Sequence, residues 1–167
     1  MTTAPPGAER IHYPDKYRPD RTWVFVRNEL DVAAPCHRVW AWLVRADRWP
    51  TWYSNSQDVE LEHAASIAGL SLGTQFRWKT FGVRLRSVVE EFVPGERIAW
   101  TAKAFGVDAY HAWLLTPTAT GCHVLTEETQ NGWLAALSQF FMPNRMHNGH
   151  QMWLERLQEK AAREEPC

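Results

Sequence analysis

The residues best suited to chemistry in this chain are two glutamates and a histidine, Glu91, His111 and Glu128, on three segments that alternate apolar and polar side chains. If each segment is a β-strand, the alternation turns all three side chains toward one inner face. An apolar pocket raises the pKa of a carboxyl group, and a nearby carboxylate favours the charged imidazole. The three residues are therefore a candidate acid/base set for a bound carbonyl compound. The alternatives are a structural hydrogen-bond cluster, or a register displaced by one residue that turns all three to solvent.

A second set of residues is suited to binding rather than to catalysis. The chain has ten tryptophans, each with a large apolar ring and one N–H group. Inward aromatic residues usually fill a core, but a curved sheet covered by one helix is difficult to fill, so we expect some of them to line a pocket. A cation from the last helical segment would hold a ligand carboxylate. The predicted ligand-binding residues are Trp52, Trp78, Trp100, Trp113, Thr126, Phe141, Arg145 and Asn148.

Two further motifs resemble a catalytic and a metal-binding pattern, but neither is predicted to be one. Gly69–Gly73 matches the G-x-S-x-G pattern of a nucleophilic serine. That pattern needs a strand before it and a helix after it, whereas a strand is predicted to follow here, so we interpret it as a loop. His147 and His150 are three residues apart, but the four-residue spacing and the carboxylate of a helical zinc motif are missing. The two histidines are better explained as a polar surface of the lid helix or as a ligand-facing imidazole, and we expect no metal and no cofactor.

The last third of the chain predicts the helix that organises the fold. From Trp133 to Arg163 apolar residues recur at intervals of three, four and seven, which is a helical period. Pro143, Gly149 and several polar residues interrupt the middle of this pattern. A helix that is apolar at its ends and polar halfway is typical of a lid over a partly polar space.

The segments before this helix predict a sheet. A first strand, Trp23–Val32, precedes two short helices, one ending near Ala46 and one capped by Asp47. Glycine-containing turns then separate six strands, which indicates an antiparallel meander. The strands are placed near Asp58–His63, Gly73–Thr80, Val83–Val93, Glu96–Lys103, Asp108–Thr116 and Gly121–Gln130. We expect one α+β domain at 22–163, with an extended or disordered tail at 1–21 and a short tail at 164–167.

Composition limits the kinds of molecule that the protein is expected to bind. The net charge of -1 argues against nucleic acid, and no stretch is apolar enough for stable membrane insertion. The three cysteines are widely spaced, which favours free thiols in a reducing compartment, so we expect a cytoplasmic protein. The oligomeric state is left open.

Several motifs together resemble the START/SRPBCC superfamily, in particular its polyketide cyclase/dehydrase-like and birch-pollen-allergen-like members. They are V-A-A-P-C-H-R-V-W from Val32, D-R-W-P-T-W from Asp47, G-T-Q-F-R-W, V-E-E-F-V-P-G-E-R-I-A-W, H-A-W-L-L-T-P and the closing helix. The resemblance implies the helix-grip fold, a seven-stranded curved antiparallel sheet wrapped around a long C-terminal helix with an apolar cavity between them. It implies binding or carriage of a small hydrophobic ligand such as a lipid, isoprenoid or polyketide. The alternatives are a cofactor-independent cyclase or dehydratase, and a protein-interaction module with a vestigial cavity.

Overall fold

A single antiparallel sheet of seven strands forms the frame of the protein in the computed structural model, which describes residues 11–61 and 69–163. The order across the sheet is β1-β7-β6-β5-β4-β3-β2, so the strands after β1 form a meander and β1 pairs with β7. This is the expected helix-grip topology. The strands are β1 (Val24–Val32), β2 (Ser56–Leu61), β3 (Gln75–Thr80), β4 (Val83–Val93), β5 (Arg97–Ala104), β6 (Val107–Thr118) and β7 (Gly121–Asn131).

Two helical segments follow the sheet where one long helix was predicted. Helix α1 (Cys36–Leu43) and a 3-10 helix (Ala46–Thr51) lie between β1 and β2, while α2 (Trp133–Phe141) and α3 (Arg145–Arg163) follow β7. The prediction of one continuous helix is wrong at 142–144, where Met142 leaves the helical conformation just before Pro143. The break separates a largely exposed α2, whose one buried residue is Ala135, from the 19-residue α3. No helix in the described part of the chain has both the length and the apolar character needed to cross a membrane.

An aromatic core occupies much of the space between α3 and the sheet. Trp153 of α3 packs with its ring centroid 5.1 Å from those of both Trp49 and Trp113. The indole N–H of Trp49 donates to the Leu43 carbonyl at 3.0 Å, which ties the 3-10 helix to α1. The inward alternation predicted from the sequence is confirmed for this core, which includes Phe76, Trp78, Leu85, Val89, Ile98, Trp100, Ala102, Trp113, Leu115 and Val124.

A β-bulge in β4 reverses the expected direction of one candidate residue. Val89 pairs with Trp100, but Glu91 rather than Glu90 pairs with Ala99, so the strand contains one extra residue. The side chain of Phe92 therefore packs on the core against Trp40. Glu91 lies on the opposite face, 2.8 Å from His12, and its predicted place on the inner face is wrong.

The N-terminal segment is more ordered than predicted from Ile11 onward. It contains two 3-10 turns, Asp15–Tyr17 and Pro19–Arg21. Tyr17 is 2% exposed, stacks on Tyr110 at 5.3 Å and donates to the Asp108 carboxylate at 2.6 Å. The remainder of the predicted N-terminal tail and all of the predicted C-terminal tail lie outside the described residues.

A disulfide joins Cys36 and Cys122, whose Cα atoms are 4.9 Å apart. The prediction of free thiols is therefore wrong for this pair. Its cause is topological: Cys122 lies opposite Val32 in the β1–β7 ladder, and α1 begins four residues after Val32. The disulfide also removes the cysteine-based argument for a reducing compartment.

Candidate functional site

A cavity of about 80 Å³ lies between the inner face of the sheet and the two C-terminal helices. Strands β3 to β7 form one wall, and α2 and α3 form the other. Most of the lining is aromatic or aliphatic, while a few polar side chains are concentrated at two places. The lining residues include Trp78, Leu85, Trp100, Ala102, Val107, Ala109, Leu134, Ala135, Ser138, Met146 and Trp153.

The first group of polar lining residues is a buried carboxylate between two histidines. Glu128 on β7 has its Oε2 atom 3.2 Å from Nδ1 of His111 on β6 and 3.2 Å from Nε2 of His150 on α3. His111 and Glu128 are direct cross-strand partners in the β6–β7 ladder, which fixes their side chains on one face. The two imidazole rings stack with centroids 4.7 Å apart. We refer to these three residues as the His–Glu–His cluster.

Neighbouring polar groups orient this cluster. Thr126 Oγ1 lies 2.8 Å from His111 Nε2, and the same hydroxyl donates to the Ala112 carbonyl at 3.2 Å. The Gln130 side chain donates to Oε1 of Glu128 at 2.5 Å. Each oxygen of the carboxylate therefore has its own neighbours, Oε1 the amide of Gln130 and Oε2 the two imidazoles.

The protonation of the cluster differs from the sequence prediction. Burial lowers the pKa of the His111 imidazole to about 3, against the opposing effect of Glu128, so this ring is neutral near pH 7. Burial by itself raises the pKa of the Glu128 carboxyl, but the hydrogen bonds from His150 and Gln130 hold it below its usual range. This direction is the reverse of the one expected for an acid/base glutamate in an apolar pocket. Glu128 is suited to accept hydrogen bonds or to hold a cation, and is a poor general acid.

The second group of polar lining residues lies at the mouth of the cavity, where the β3–β4 turn meets α3. Phe81 in this turn has a φ of 48°, a conformation in which a bulky residue is strained. Its ring lies against Gly149, and its carbonyl accepts a hydrogen bond from Arg145 at 3.0 Å. The Arg145 guanidinium also lies 5.6 Å from the centre of the Phe81 ring. Phe81 and Arg145 together connect the turn to the helix.

Two indole N–H groups on the lining are left without an acceptor. Trp100 and Trp153 both line the cavity, and the buried Nε1 atom of each has no hydrogen-bond partner among the described residues. The same holds for Nδ1 of His150. Buried polar groups are normally hydrogen-bonded, so these atoms favour an interior that accepts a polar guest.

The structure brings some of the predicted site residues together and separates others. His111, Glu128, Trp78, Trp100 and Arg145 line the cavity, and Thr126 bonds to His111 behind it. The remaining predicted residues do not line it. Trp113 is buried beside His111, Trp52 packs on Trp42, and Phe141 and Asn148 are exposed.

Sequence reasoning missed Gln130, Phe81 and Trp153 among the lining residues, and it left His150 as either a polar surface residue or a ligand-facing imidazole. A signal for His150 was present, because it shares a helical face with Trp153, Leu154 and Leu157, all of which are buried. His147, three residues before it, is exposed, so the two histidines do not form a pair. Ser71 of the G-x-S-x-G match lies in a loop before β3 and contacts Thr74, which agrees with the loop interpretation.

Comparison with known proteins identifies the relatives of this chain. The family model described as "Polyketide cyclase / dehydrase and lipid transport" matches residues 24–162. The crystal structure of hypothetical protein jhp0584 from Helicobacter pylori is similar at 33% identity and a TM-score of 0.85, covering 96% of this chain and 99% of that one. No curated protein sequence matches the chain.

More distant structures share the fold alone. The protein TTHA0849 from Thermus thermophilus has 17% identity and a TM-score of 0.67, with 83% of this chain and 97% of that one covered. The di-domain ARO/CYC StfQ from the steffimycin biosynthetic pathway has 18% identity and a TM-score of 0.68, with 83% of this chain and 51% of that one covered.

Proposed function

The chain belongs to the polyketide cyclase/dehydrase and lipid transport family, and we propose that it binds a small, largely apolar ligand with one polar end. The observation that carries the proposal is the cavity itself, whose aromatic and aliphatic walls end at the buried His–Glu–His cluster. Small-molecule sites usually combine an apolar lining with a few convergent polar groups. The apolar part of the ligand would lie along Trp78 and Trp100, with its polar end toward Glu128.

The unpartnered donors of the lining indicate the chemistry of that polar end. The indole N–H groups of Trp100 and Trp153 require acceptors, and carbonyl or hydroxyl oxygens of a ligand would supply them. Arg145 adds a cation at the mouth of the cavity. A ligand that carries oxygen atoms on a hydrocarbon or ring system fits this distribution of groups.

The volume of the cavity restricts how such a ligand enters. About 80 Å³ is smaller than the roughly 300 to 1,000 Å³ of typical small-molecule sites. A multi-ring ligand therefore requires part of the wall to move, and α2 is the element best able to do so. It has one buried residue, begins after Gly132 at a φ of 105° and ends at the break before Pro143. We propose that displacement of α2 admits the ligand.

A second candidate function is catalysis of the cyclase or dehydratase kind, which the position of Glu128 between two imidazoles favours. Glu128→Gln separates the two functions because it keeps the shape of the side chain and removes its charge. Binding alone predicts that ligand affinity stays within about threefold of wild type. Catalysis predicts that turnover falls by roughly a hundredfold or more while binding remains.

The binding proposal is tested with an apolar, polarity-sensitive dye and tryptophan emission. The dye should bind the native protein at one molecule per chain and quench Trp100 and Trp153. Ser138→Leu places a larger side chain on the lining from α2 and should weaken binding at least tenfold. Ala136→Leu, on the same helix but not among the lining residues, is the matched control and should bind like wild type. Dye binding that appears only on partial unfolding would overturn the proposal.

Organic extraction and native mass spectrometry of freshly purified protein complete the test. An apolar molecule that co-purifies at one copy per chain would identify the ligand directly, and it should compete with the dye for the same site. A passenger that persists in Ser138→Leu with unchanged occupancy would place the ligand elsewhere on the protein.

A further inference from the structure

The His–Glu–His cluster has the composition of a metal centre, and we infer that it binds one divalent transition-metal ion. His111, Glu128 and His150 each offer one ligand atom, and these atoms lie within 4.8 Å of one another. All three residues are buried, at 1%, 8% and 1% exposure. Two imidazoles and one carboxylate are the ligand set of catalytic zinc and of mononuclear iron(II) sites. This inference goes beyond ligand binding, because an ion can bind whether or not a ligand does.

The distances in the cluster are close to those that an ion requires. Ligand atoms at about 2.1 Å from a zinc ion in tetrahedral geometry are roughly 3.4 Å from one another. The Glu128 oxygen is already 3.2 Å from the nearest nitrogen of each histidine. The two imidazole nitrogens lie no more than 4.8 Å apart, so closing this last distance to roughly 3.4 Å needs a movement of at most about 1.4 Å.

Hydrogen bonds behind the cluster direct the ligand atoms toward the shared point. The Thr126 hydroxyl lies 2.8 Å from Nε2 of His111 and 3.2 Å from the Ala112 carbonyl, so it holds the rotation of the His111 ring. Nδ1 of His111 then faces Glu128. Gln130 occupies the other carboxylate oxygen, Oε1, and leaves Oε2 for the cluster. Outer partners of this kind, which hold the orientation of a histidine ring and of a carboxylate, are typical of metal sites.

The cluster also provides a buried negative charge for a cation. The Oε2 atom of Glu128 lies 3.2 Å from one ring nitrogen of each histidine, so an ion at this point would contact all three side chains. His150 approaches this oxygen from α3, and its other ring nitrogen has no partner among the described residues.

Three protein ligands leave coordination positions open, and all three ligands line the cavity. Structural zinc sites use four protein ligands, whereas sites that act on substrates keep a position for water or substrate. The cluster borders the cavity together with Trp100 and Trp153. A bound ion would therefore meet the oxygen-bearing end of a ligand directly. The imidazole and carboxylate donors, without thiolate, suit Zn²⁺, Fe²⁺ and Mn²⁺.

The test uses the full chain after treatment with a chelator, titrated with Co²⁺ as a visible probe. We expect one Co²⁺ per chain, a saturable absorption band and its loss when Zn²⁺ is added. Glu128→Gln and His150→Gln each remove one ligand and should weaken Co²⁺ binding at least a hundredfold. Near-ultraviolet circular dichroism confirms that each variant remains folded.

Control variants distinguish the loss of a metal site from general effects of mutation on the protein. His147→Gln removes an exposed histidine one turn away and should bind Co²⁺ like wild type. Thr126→Val keeps all three ligands but removes the outer hydrogen bond of His111, and should weaken binding roughly 10- to 100-fold. Thr129→Val removes a buried hydroxyl that has no partner among the described residues, on the same strand, and should leave the affinity unchanged.

Three outcomes would overturn the inference. They are no saturable band in the folded wild type, undiminished binding in folded Glu128→Gln and His150→Gln, or equal losses in Thr126→Val and Thr129→Val. Dye binding measured in the presence of the chelator reports on the cavity separately. A protein that binds dye but no Co²⁺ refutes the metal alone, and one that binds Co²⁺ but no dye refutes the proposed ligand function alone.

Discussion

Replacement of Gly149 by alanine tests the contact that closes the mouth of the cavity. A Cβ atom added at Gly149 would lie 2.5 Å from Cε1 of the Phe81 ring and closer still to its Cζ atom. Its next neighbour, Nδ2 of Asn55, is at an ordinary distance of 3.5 Å. The Phe81 ring is therefore the main obstacle to a methyl group, and it must retreat by about 1 Å to reach normal contact distance.

Two opposing effects determine the size of the change. Glycine in a helix interior costs about 1 kcal/mol relative to alanine, so the substitution gains that amount in α3. Overpacking against a ring typically costs about 1 to 3 kcal/mol. We expect Gly149→Ala to lower the free energy of unfolding by about 0 to 2 kcal/mol in wild type. In a Phe81→Asn background the obstacle is absent, and the same change should raise it by about 1 kcal/mol.

Urea unfolding of the four proteins of this double-mutant cycle measures the coupling. The expected coupling between the two positions is about 1 to 3 kcal/mol, well above the few tenths found for independent sites. Equal effects of Gly149→Ala in the two backgrounds would refute the contact. The m-values must agree among the four proteins, because a change in m would indicate a change in the denatured state rather than in this contact.

Three further predictions concern the frame of the site. Cys36→Ala with Cys122→Ala should lower the free energy of unfolding by up to about 4 to 5 kcal/mol, since the disulfide spans 86 residues. Thiol titration of unreduced, denatured protein should find one reactive thiol of the three cysteines, and three would disprove the disulfide. Burial alone raises the pKa of the Asp108 carboxyl, but hydrogen bonds from Tyr17 and Lys16 hold it below 3.8, so its contribution is present above that pH and lost as the pH falls. Urea unfolding between about pH 5 and pH 2 should accordingly show a weaker pH dependence in Asp108→Asn, and parallel curves would contradict the assignment. Amide exchange should be fast at Asn144, next to the break between α2 and α3, and slow around Leu157, and equal protection at both would mean that α2 and α3 open as one unit.

Much of the fold could be predicted from local chemistry. Glycine-containing turns and period-two alternation place β4 at Val83–Val93, as observed, and the other strands within a few residues. The pairing of β1 with β7 cannot be predicted from any local segment, but the resemblance to the family implied it. The disulfide depends on that pairing, since Cys36 and Cys122 approach only when β1 lies beside β7. Spacing along the chain alone therefore could not reveal it.

Only part of the candidate site was predicted, because the alternation of inward and outward side chains holds on some strands and fails on others. His111 and Glu128 lie on strands that pair without interruption, so their shared face followed directly from the sequence. Glu91 lies just beyond a bulge, and one extra residue turned it to the outer face. No residue in that part of β4 indicates a bulge, because neither glycine nor proline occurs between Val89 and Glu91. His150 required knowledge of which helix face meets the sheet.

The residues at the mouth of the cavity break local rules in a way that points to the same site. The Phe81-Gly82 turn has φ angles of 48° and 77°, and a two-residue hairpin of that kind favours asparagine or aspartate at its first position. Gly149 is similarly unfavourable within α3. Each choice weakens its own element, but together they let the Phe81 ring lie flush against the helix, where Arg145 holds the turn by its carbonyl. Local costs that are offset only by a contact beside a cavity are expected where function constrains the sequence. The strained turn and the buried His–Glu–His cluster are separate observations, and both border the same cavity, which supports that cavity as the candidate site.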